Sequence, residues 1–109
     1  MTAAGFRALA LSMPEAIEGT HMGHPDFRVG GKVFATLDAA GLKGVVKLAP
    51  EQQAMFMAAE PLVFSPCAGA WGRRGYTNVA LKPAKKGAVT QAMELAWTGV
   101  APTGLQGDR

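Results

Sequence analysis

Residues 26–37 read Asp-Phe-Arg-Val-Gly-Gly-Lys-Val-Phe-Ala-Thr-Leu, two largely apolar runs on either side of a glycine pair. Gly30-Gly31 suits a tight hairpin turn because glycine adopts positive φ at no steric cost. The stretch therefore predicts two antiparallel strands, Asp26 to Gly30 and Lys32 to Leu37. Alternation in the second strand predicts two faces, one with Val33, Ala35 and Leu37 and the other with Lys32, Phe34 and Thr36.

Further extended segments flank this hairpin. Residues 15–22 are predicted as a short extended segment before it, and residues 43–48 as the next strand after it. In residues 76–82, Thr77, Val79 and Leu81 alternate with Tyr76, Asn78 and Ala80, a pattern typical of a half-buried strand. We expect residues 62–70 to form an irregular connection. Short turns between consecutive strands favour antiparallel pairing.

Three segments carry apolar residues at helical spacing, namely residues 2–13, 50–60 and 85–100. The second has a proline in its first turn, a position that tolerates the missing N–H. Its predicted apolar stripe is Gln52, Met55, Phe56 and Ala59. The last segment gives the strongest helical signal, with an apolar face formed by Val89, Ala92, Met93, Ala96, Trp97 and Val100.

Strands in the middle of the chain and helices at both ends predict an α+β fold. We expect a two-layer sandwich, with an antiparallel sheet and helices packed on one of its faces. Of the 109 residues, 49% are hydrophobic, which is enough for a core without disulfides or a metal. We assign residues 1–102 to a single domain and residues 103–109 to a flexible C-terminal tail.

Charge and targeting signals limit the classes of partner. The net charge is +3, and residues 61–109 hold six basic and two acidic residues, so the whole excess lies in the C-terminal half. A single cysteine, Cys67, permits no internal disulfide and favours a reducing compartment. Without a signal-peptide pattern or an apolar run near ~20 residues, we expect a cytoplasmic protein with no membrane partner.

The most distinctive motif is Ala-Trp-Gly-Arg-Arg-Gly-Tyr-Thr at residues 70–77, inside a segment, 61–93, that lacks Asp and Glu. We predict that it forms the tip of a β-hairpin. Arginine forks fit phosphate oxygens, and Trp71 or Tyr76 can stack on bases. The structural alternative is a solvated tip with Trp71 packed in the core. The predicted nucleic-acid-binding residues are Arg73, Arg74, Lys82, Lys85, Lys86, Arg28 and Lys32.

A second cluster, His21-x-x-His24-x-Asp26, contains metal-binding residue types. A strand would point the two imidazoles to opposite faces, and further ligands would have to come from elsewhere. We therefore expect no metal, and interpret the histidines as structural groups or as part of a groove. Cys67 lies in an apolar setting that raises rather than lowers the pKa of its thiol. We find no catalytic or cofactor-binding motif, so we expect a protein without cofactors that is not an enzyme.

Several longer segments, taken together, resemble one family. These are Thr20-His-Met-Gly-His-Pro-Asp-Phe-Arg-Val-Gly-Gly-Lys-Val-Phe-Ala35, Val46-Lys-Leu48, Pro50-Glu-Gln-Gln53, Gly69-Ala-Trp-Gly-Arg-Arg-Gly-Tyr-Thr77 and Ala96-Trp97. They are similar to the MmcQ/YjbR family of small bacterial proteins. The resemblance implies a fold like that of bacterial frataxin (CyaY-like), and a proposed double-wing DNA-binding surface formed by β-hairpins. Frataxin-like iron binding is not implied, because residues 1–13 contain no acidic residue.

Two hypotheses for function follow. In the first, the chain is a non-enzymatic module that binds DNA weakly through the basic residues named above. In the second, it is a small-ligand or protein-interaction domain with a cleft lined by His21, His24, Phe27, Trp71 and Arg73. A concave pocket that joins these five residues favours the second hypothesis, and a flat or convex positive face favours the first.

Overall fold

A computed structural model describes residues 1–106. These residues form one six-stranded antiparallel sheet and four α-helices, which confirms the predicted fold class. The strands are β1 (Ile17–His21), β2 (His24–Val29), β3 (Lys32–Leu37), β4 (Lys43–Lys47), β5 (Phe64–Pro66) and β6 (Tyr76–Ala80). The helices are α1 (Ala3–Leu11), α2 (Pro50–Ala59), α3 (Gly69–Arg73) and α4 (Lys86–Val100).

The strand order across the sheet is β1-β2-β3-β4-β6-β5. The β2–β3 turn falls at Gly30-Gly31, where φ is +59° and +80°, as predicted for a tight hairpin. Strict alternation in β3 is wrong, because the pairing with β2 slips between Phe27 and Arg28. Phe34 is the extra residue of this bulge and is buried on the same side as Ala35.

Helices α1 and α4 cover one face of the sheet. The α1 residue Phe6 lies so close to β4 that a Cβ atom on Gly44 would be 2.5 Å from its ring. The predicted apolar face of α4 is confirmed, since all six of its residues are buried. Sheet residues from β2, β3, β4 and β6 complete the core, among them Phe27, Val29, Leu37, Val46 and Val79.

Two predicted elements differ in detail. Helix α2 buries Gln53 and Phe56, whereas Met55 of the predicted stripe is 66% exposed, so that stripe is wrong. The segment 62–70, predicted to be irregular, contains strand β5 and the start of α3. Strand β5 and helix α3 are three and five residues long, and neither has a clear periodic signal in the sequence.

The beginning of the predicted tail is structured. Residues Thr103–Gln106 form a 3₁₀ turn, and the Gln106 amide donates hydrogen bonds to the carbonyl oxygens of Thr98 (3.1 Å) and Ala101 (2.8 Å). Residues 107–109, the rest of the predicted tail, lie outside the described residues. Among residues 1–106, no helix is long and apolar enough to cross a membrane.

The other face of the sheet is largely uncovered. Cross-strand pairs such as Thr36 with Val45 and Val45 with Asn78 lie on it, and their side chains are half-buried. Asp26 is the exception, since its side chain is 2% exposed beneath its ion pair with Arg28. This uncovered face carries the side chains that are considered below.

Candidate nucleic-acid interface

The Gly-Arg-Arg-Gly motif does not form a hairpin tip. Gly72 and Arg73 end helix α3, and Arg74 is its C-cap. Gly75 follows with φ of +105°, and strand β6 begins at Tyr76. The prediction failed because β5 and β6 are joined through a helical turn, although they pair as antiparallel neighbours.

Both glycines of the motif are needed for close backbone packing. A Cβ atom on Gly72 would overlap the carbonyl oxygen of Cys67, and one on Gly75 would overlap that of Leu48. Both glycines are buried, so their backbones are packed against the protein and are not open to a phosphate. The glycines therefore fix the position of the two arginines between them.

Helix α2 holds this turn from below through Gln53, whose side chain is 8% exposed. Its amide nitrogen lies 3.0 Å from the Gly72 carbonyl oxygen, 3.1 Å from that of Tyr76 and 3.2 Å from Thr77 Oγ1. A single buried amide thus connects α2, α3 and β6. This polar contact explains why a glutamine takes a position that an amphipathic pattern assigns to an apolar residue.

Four side chains form a cationic and aromatic cluster at the start of β6. Trp71 packs edge-on against Tyr76, with ring centroids 4.9 Å apart and planes at 90°. The Arg74 guanidinium lies 5.6 Å from the Trp71 ring centroid, and the Lys47 ammonium lies 5.9 Å from that of Tyr76. We call Lys47, Trp71, Arg74 and Tyr76 the Trp71 cluster.

The Trp71 cluster is open to solvent. Trp71 is 56% exposed, so the structural alternative of a core anchor is excluded. Arg73 is also exposed beside it. Within residues 1–106 the ion pairs are Arg7 with Glu18 and Arg28 with Asp26, so the cations of the cluster and Arg73 are not neutralised by a described carboxylate.

The predicted basic surface is divided between two ends of the sheet. Arg73 and Arg74 precede β6, whereas Lys82, Lys85 and Lys86 follow it. The five residues of β6 span about 17 Å. The lysines therefore belong to a separate patch near the start of α4.

The two predicted residues of the first hairpin also stand apart from the arginines of α3. Arg28 and Lys32 lie on β2 and β3, and β4 separates those strands from β6. Arg28 donates two hydrogen bonds to the Asp26 carboxylate, at 2.8 and 2.9 Å. These bonds hold the pKa of Asp26 below its usual 3.8, and they engage the guanidinium within the protein.

The predicted five-residue cleft is not assembled. His21 and His24 face each other as a cross-strand pair at the β1–β2 turn and line a cavity there. Phe27 is fully buried on the helical side, with its ring 6.4 Å from that of Phe6. Trp71 and Arg73 lie at the opposite end of the sheet, on the far side of β3 and β4. Of the five residues, His21 and His24 line one cavity together.

The environment of Cys67 agrees with its predicted apolar setting. Burial raises the pKa of the Cys67 thiol, against a smaller lowering by the Lys43 ammonium. The Cys67 sulfur lies 3.4 Å from Asn78 Oδ1. Among residues 1–106, no group of three or more His, Cys, Asp or Glu side chains is placed to hold a metal ion.

Two lysines that line these sites were missed by the sequence analysis. Lys47 belongs to the Trp71 cluster, and Lys43 lines the cavity beside the histidines. The signal was present, since period-two alternation places Lys43, Val45 and Lys47 on one face of their strand. Their partners come from distant segments, which alternation alone does not identify.

Comparisons with known proteins place the chain in a family. The crystal structure of Deinococcus radiodurans protein DR2400, with a domain described as DUF419, is similar at a TM-score of 0.78 and 18% identity. The likeness covers 94% of this chain and 80% of that one, and at such identity it shows the fold alone. No curated protein matches the sequence. The YjbR family model matches residues 11–101, and the chain therefore belongs to the YjbR family.

Proposed function

We propose that this protein is a non-enzymatic module that binds single-stranded DNA through the Trp71 cluster and Arg73. The observation that carries the proposal is an exposed indole that packs on Tyr76 beside the uncovered sheet face, with cations that no described carboxylate neutralises. Open sheet faces with aromatic and basic side chains are a recurring platform for unpaired bases.

The two kinds of side chain have different tasks in this proposal. The accessible surface of Trp71 receives a base, and stacking on an aromatic side chain contributes about 1–3 kcal/mol per base. Arg73, Arg74 and Lys47 contact phosphates, with Arg74 already positioned by its contact with the indole. The resulting affinity is modest and salt-dependent, with a Kd of about 10⁻⁴–10⁻⁶ M at physiological salt.

Packing of the motif favours this use of the two arginines. Because Gly72, Gly75 and Gln53 fix the turn, the backbone that carries Arg73 and Arg74 is already ordered before a ligand arrives. Less conformational entropy is then lost on binding than with a mobile loop. The glycines act on the protein side of the interface and need no direct contact with DNA.

The test compares two double variants with the same change in charge. Arg73→Ala/Arg74→Ala removes the arginines beside the Trp71 cluster, and Lys85→Ala/Lys86→Ala removes two lysines at the start of α4. Binding to a labelled oligothymidylate is followed by fluorescence anisotropy at two salt concentrations. We expect the arginine variant to bind about tenfold more weakly and its slope of log K against log salt to fall by about 1.4, for two lost phosphate contacts on a single strand.

The lysine variant is the control for net charge. We expect its affinity to change by less than about threefold, because its lysines lie beyond the far end of β6. Equal weakening by both double variants would show that only overall charge matters. Retained binding by the arginine variant, or a preference for duplex DNA or for RNA over single-stranded DNA, would also contradict the proposal.

A further inference from the structure

A concave site lies on the uncovered face, at the opposite end from the Trp71 cluster. It is a cavity of about 400 Å³ between the β1–β2 turn, the end of β3 and the start of β4. We call it the His21 cleft. Its wall is formed by His21, Met22 and His24, its floor by Asp26, Thr36, Leu37 and Val45, and its far rim by Asp38 and Lys43.

The turn that forms the wall is a two-residue hairpin turn with a methionine at its first position. Met22 and Gly23 have φ of +52° and +81°, so both occupy the left-handed region. That conformation disfavours methionine, because its Cβ atom approaches the following carbonyl oxygen. The turn places His21 directly opposite His24 and leaves Met22 84% exposed at the rim.

The charges around the cleft leave one cation without a partner among the described residues. The Asp26 carboxylate is engaged by Arg28 at 2.8 and 2.9 Å. One oxygen of Asp38 accepts backbone N–H bonds from Leu42 at 2.8 Å and from Lys43 at 3.2 Å. The Lys43 ammonium forms no ion pair with a carboxylate of residues 1–106. It is therefore available to an anionic group in the cleft.

The remaining lining is mostly apolar. Val45 and the flexible Met22 side chain provide surface for a hydrocarbon or aromatic body. The imidazole rings of His21 and His24 each offer an N–H donor. A cavity with apolar walls and a few convergent polar groups is the usual form of a small-molecule site.

We propose that the His21 cleft binds a small organic monoanion with an apolar body, such as an aromatic carboxylate. Lys43 pairs with the anionic group, and the histidines donate hydrogen bonds to it. The apolar body packs between Val45 and Met22. This inference does not depend on DNA binding, since the cleft shares no residue with the Trp71 cluster.

The test uses 2-naphthoate as the probe and 2-naphthylmethanol as a neutral control with the same ring system. Each is titrated into the ¹⁵N-labelled full chain, and amide shifts are followed by NMR. We expect saturable shifts for naphthoate in residues 21–26 and 36–45, with affinity about tenfold higher than for the alcohol. Lys43→Met should abolish that advantage, whereas Lys82→Met, an exposed lysine outside the cleft, should leave it unchanged.

Three results would each overturn the proposal. They are equal affinity for the acid and the alcohol, naphthoate affinity that survives Lys43→Met, and the absence of saturable shifts at the cleft. Lys43 is exposed, and methionine replaces it with an unbranched side chain of similar length, so the variant should fold as the parent does. Its unperturbed amide spectrum away from β4 checks this directly.

Discussion

Single residues of the uncovered face owe their roles to neighbours that are distant in sequence. Trp71 precedes Gly72, whose backbone packs on Cys67, and Lys47 reaches Tyr76 because β4 pairs with β6. The sequence pointed to Arg73 and Arg74 through local composition alone. It missed Lys43 and Lys47, because the value of each depends on strand pairing that local composition does not show.

The Asp26–Arg28 ion pair gives a prediction about acid stability. Gly19 on β1 makes room for it, since a Cβ atom there would lie 2.8 Å from Asp26 Oδ1. The pKa of Asp26 is lowered from 3.8 in the folded state, chiefly by the Arg28 hydrogen bonds. The carboxylate therefore contributes stability that is present above the unfolded-state pKa and is lost as pH falls through the folded-state pKa.

We expect Asp26→Asn to lower the free energy of unfolding at neutral pH by about 1–3 kcal/mol, because a charged hydrogen-bonded pair is lost. The variant should also lose stability less steeply than the parent below about pH 4. Urea unfolding at a series of pH values measures both effects. Glu94→Gln, at an exposed position on α4, serves as the control. If the free energies of unfolding of the parent and of Asp26→Asn fall in parallel with pH, the Asp26–Arg28 pair does not stabilise the fold as described.

Among the elements, those with a strong repeating pattern were predicted well and the short ones were not. The face of α4 was correct in all six residues, because a 15-residue helix repeats its apolar spacing four times. Helix α2 was assigned the wrong face because Gln53 is buried for its hydrogen bonds, which a hydrophobic pattern does not show. The bulge at Phe34 and the five-residue helix α3 have no periodic signal long enough to detect.

Gly72 in α3 is in close backbone contact, whereas Gly87 in α4 is not. Replacing each glycine with alanine should therefore have opposite effects on stability. Gly72→Ala places a Cβ atom against the Cys67 carbonyl and should destabilise the fold by about 1–3 kcal/mol. Gly87→Ala, on α4, meets no atom within 4 Å and should stabilise it by up to about 1 kcal/mol. Thermal and urea unfolding measure both effects. If Gly72→Ala leaves the free energy of unfolding unchanged, α3 is not packed as described.

At the scale of the whole molecule, two separate groups of side chains lie at opposite ends of the sheet. The sequence predicted one basic surface or one cleft. The topology instead places the residues of each predicted site at the two opposite ends of the strands. The Trp71 cluster lies where β4 ends and β6 begins, and the His21 cleft lies where β3 ends and β4 begins. Composition could give the charge excess, but only the strand order shows how the charges are distributed.

The proposed contact between a DNA base and Trp71 can be measured through tryptophan emission. The chain's other indole, Trp97, is 6% exposed and donates a hydrogen bond to the Pro14 carbonyl oxygen at 2.9 Å, so it reports little on the surface. The parent and Trp71→Phe are titrated with an oligothymidylate of about 12 nucleotides, a length within the usual site size for single strands.

We predict that DNA quenches the emission of the parent saturably, in step with binding measured by anisotropy. Trp71→Phe should bind more weakly, and the emission of its remaining tryptophan should stay nearly constant. Two results would contradict the proposal that a DNA base stacks on Trp71. One is unchanged emission of the parent when DNA is bound, and the other is equal quenching in Trp71→Phe.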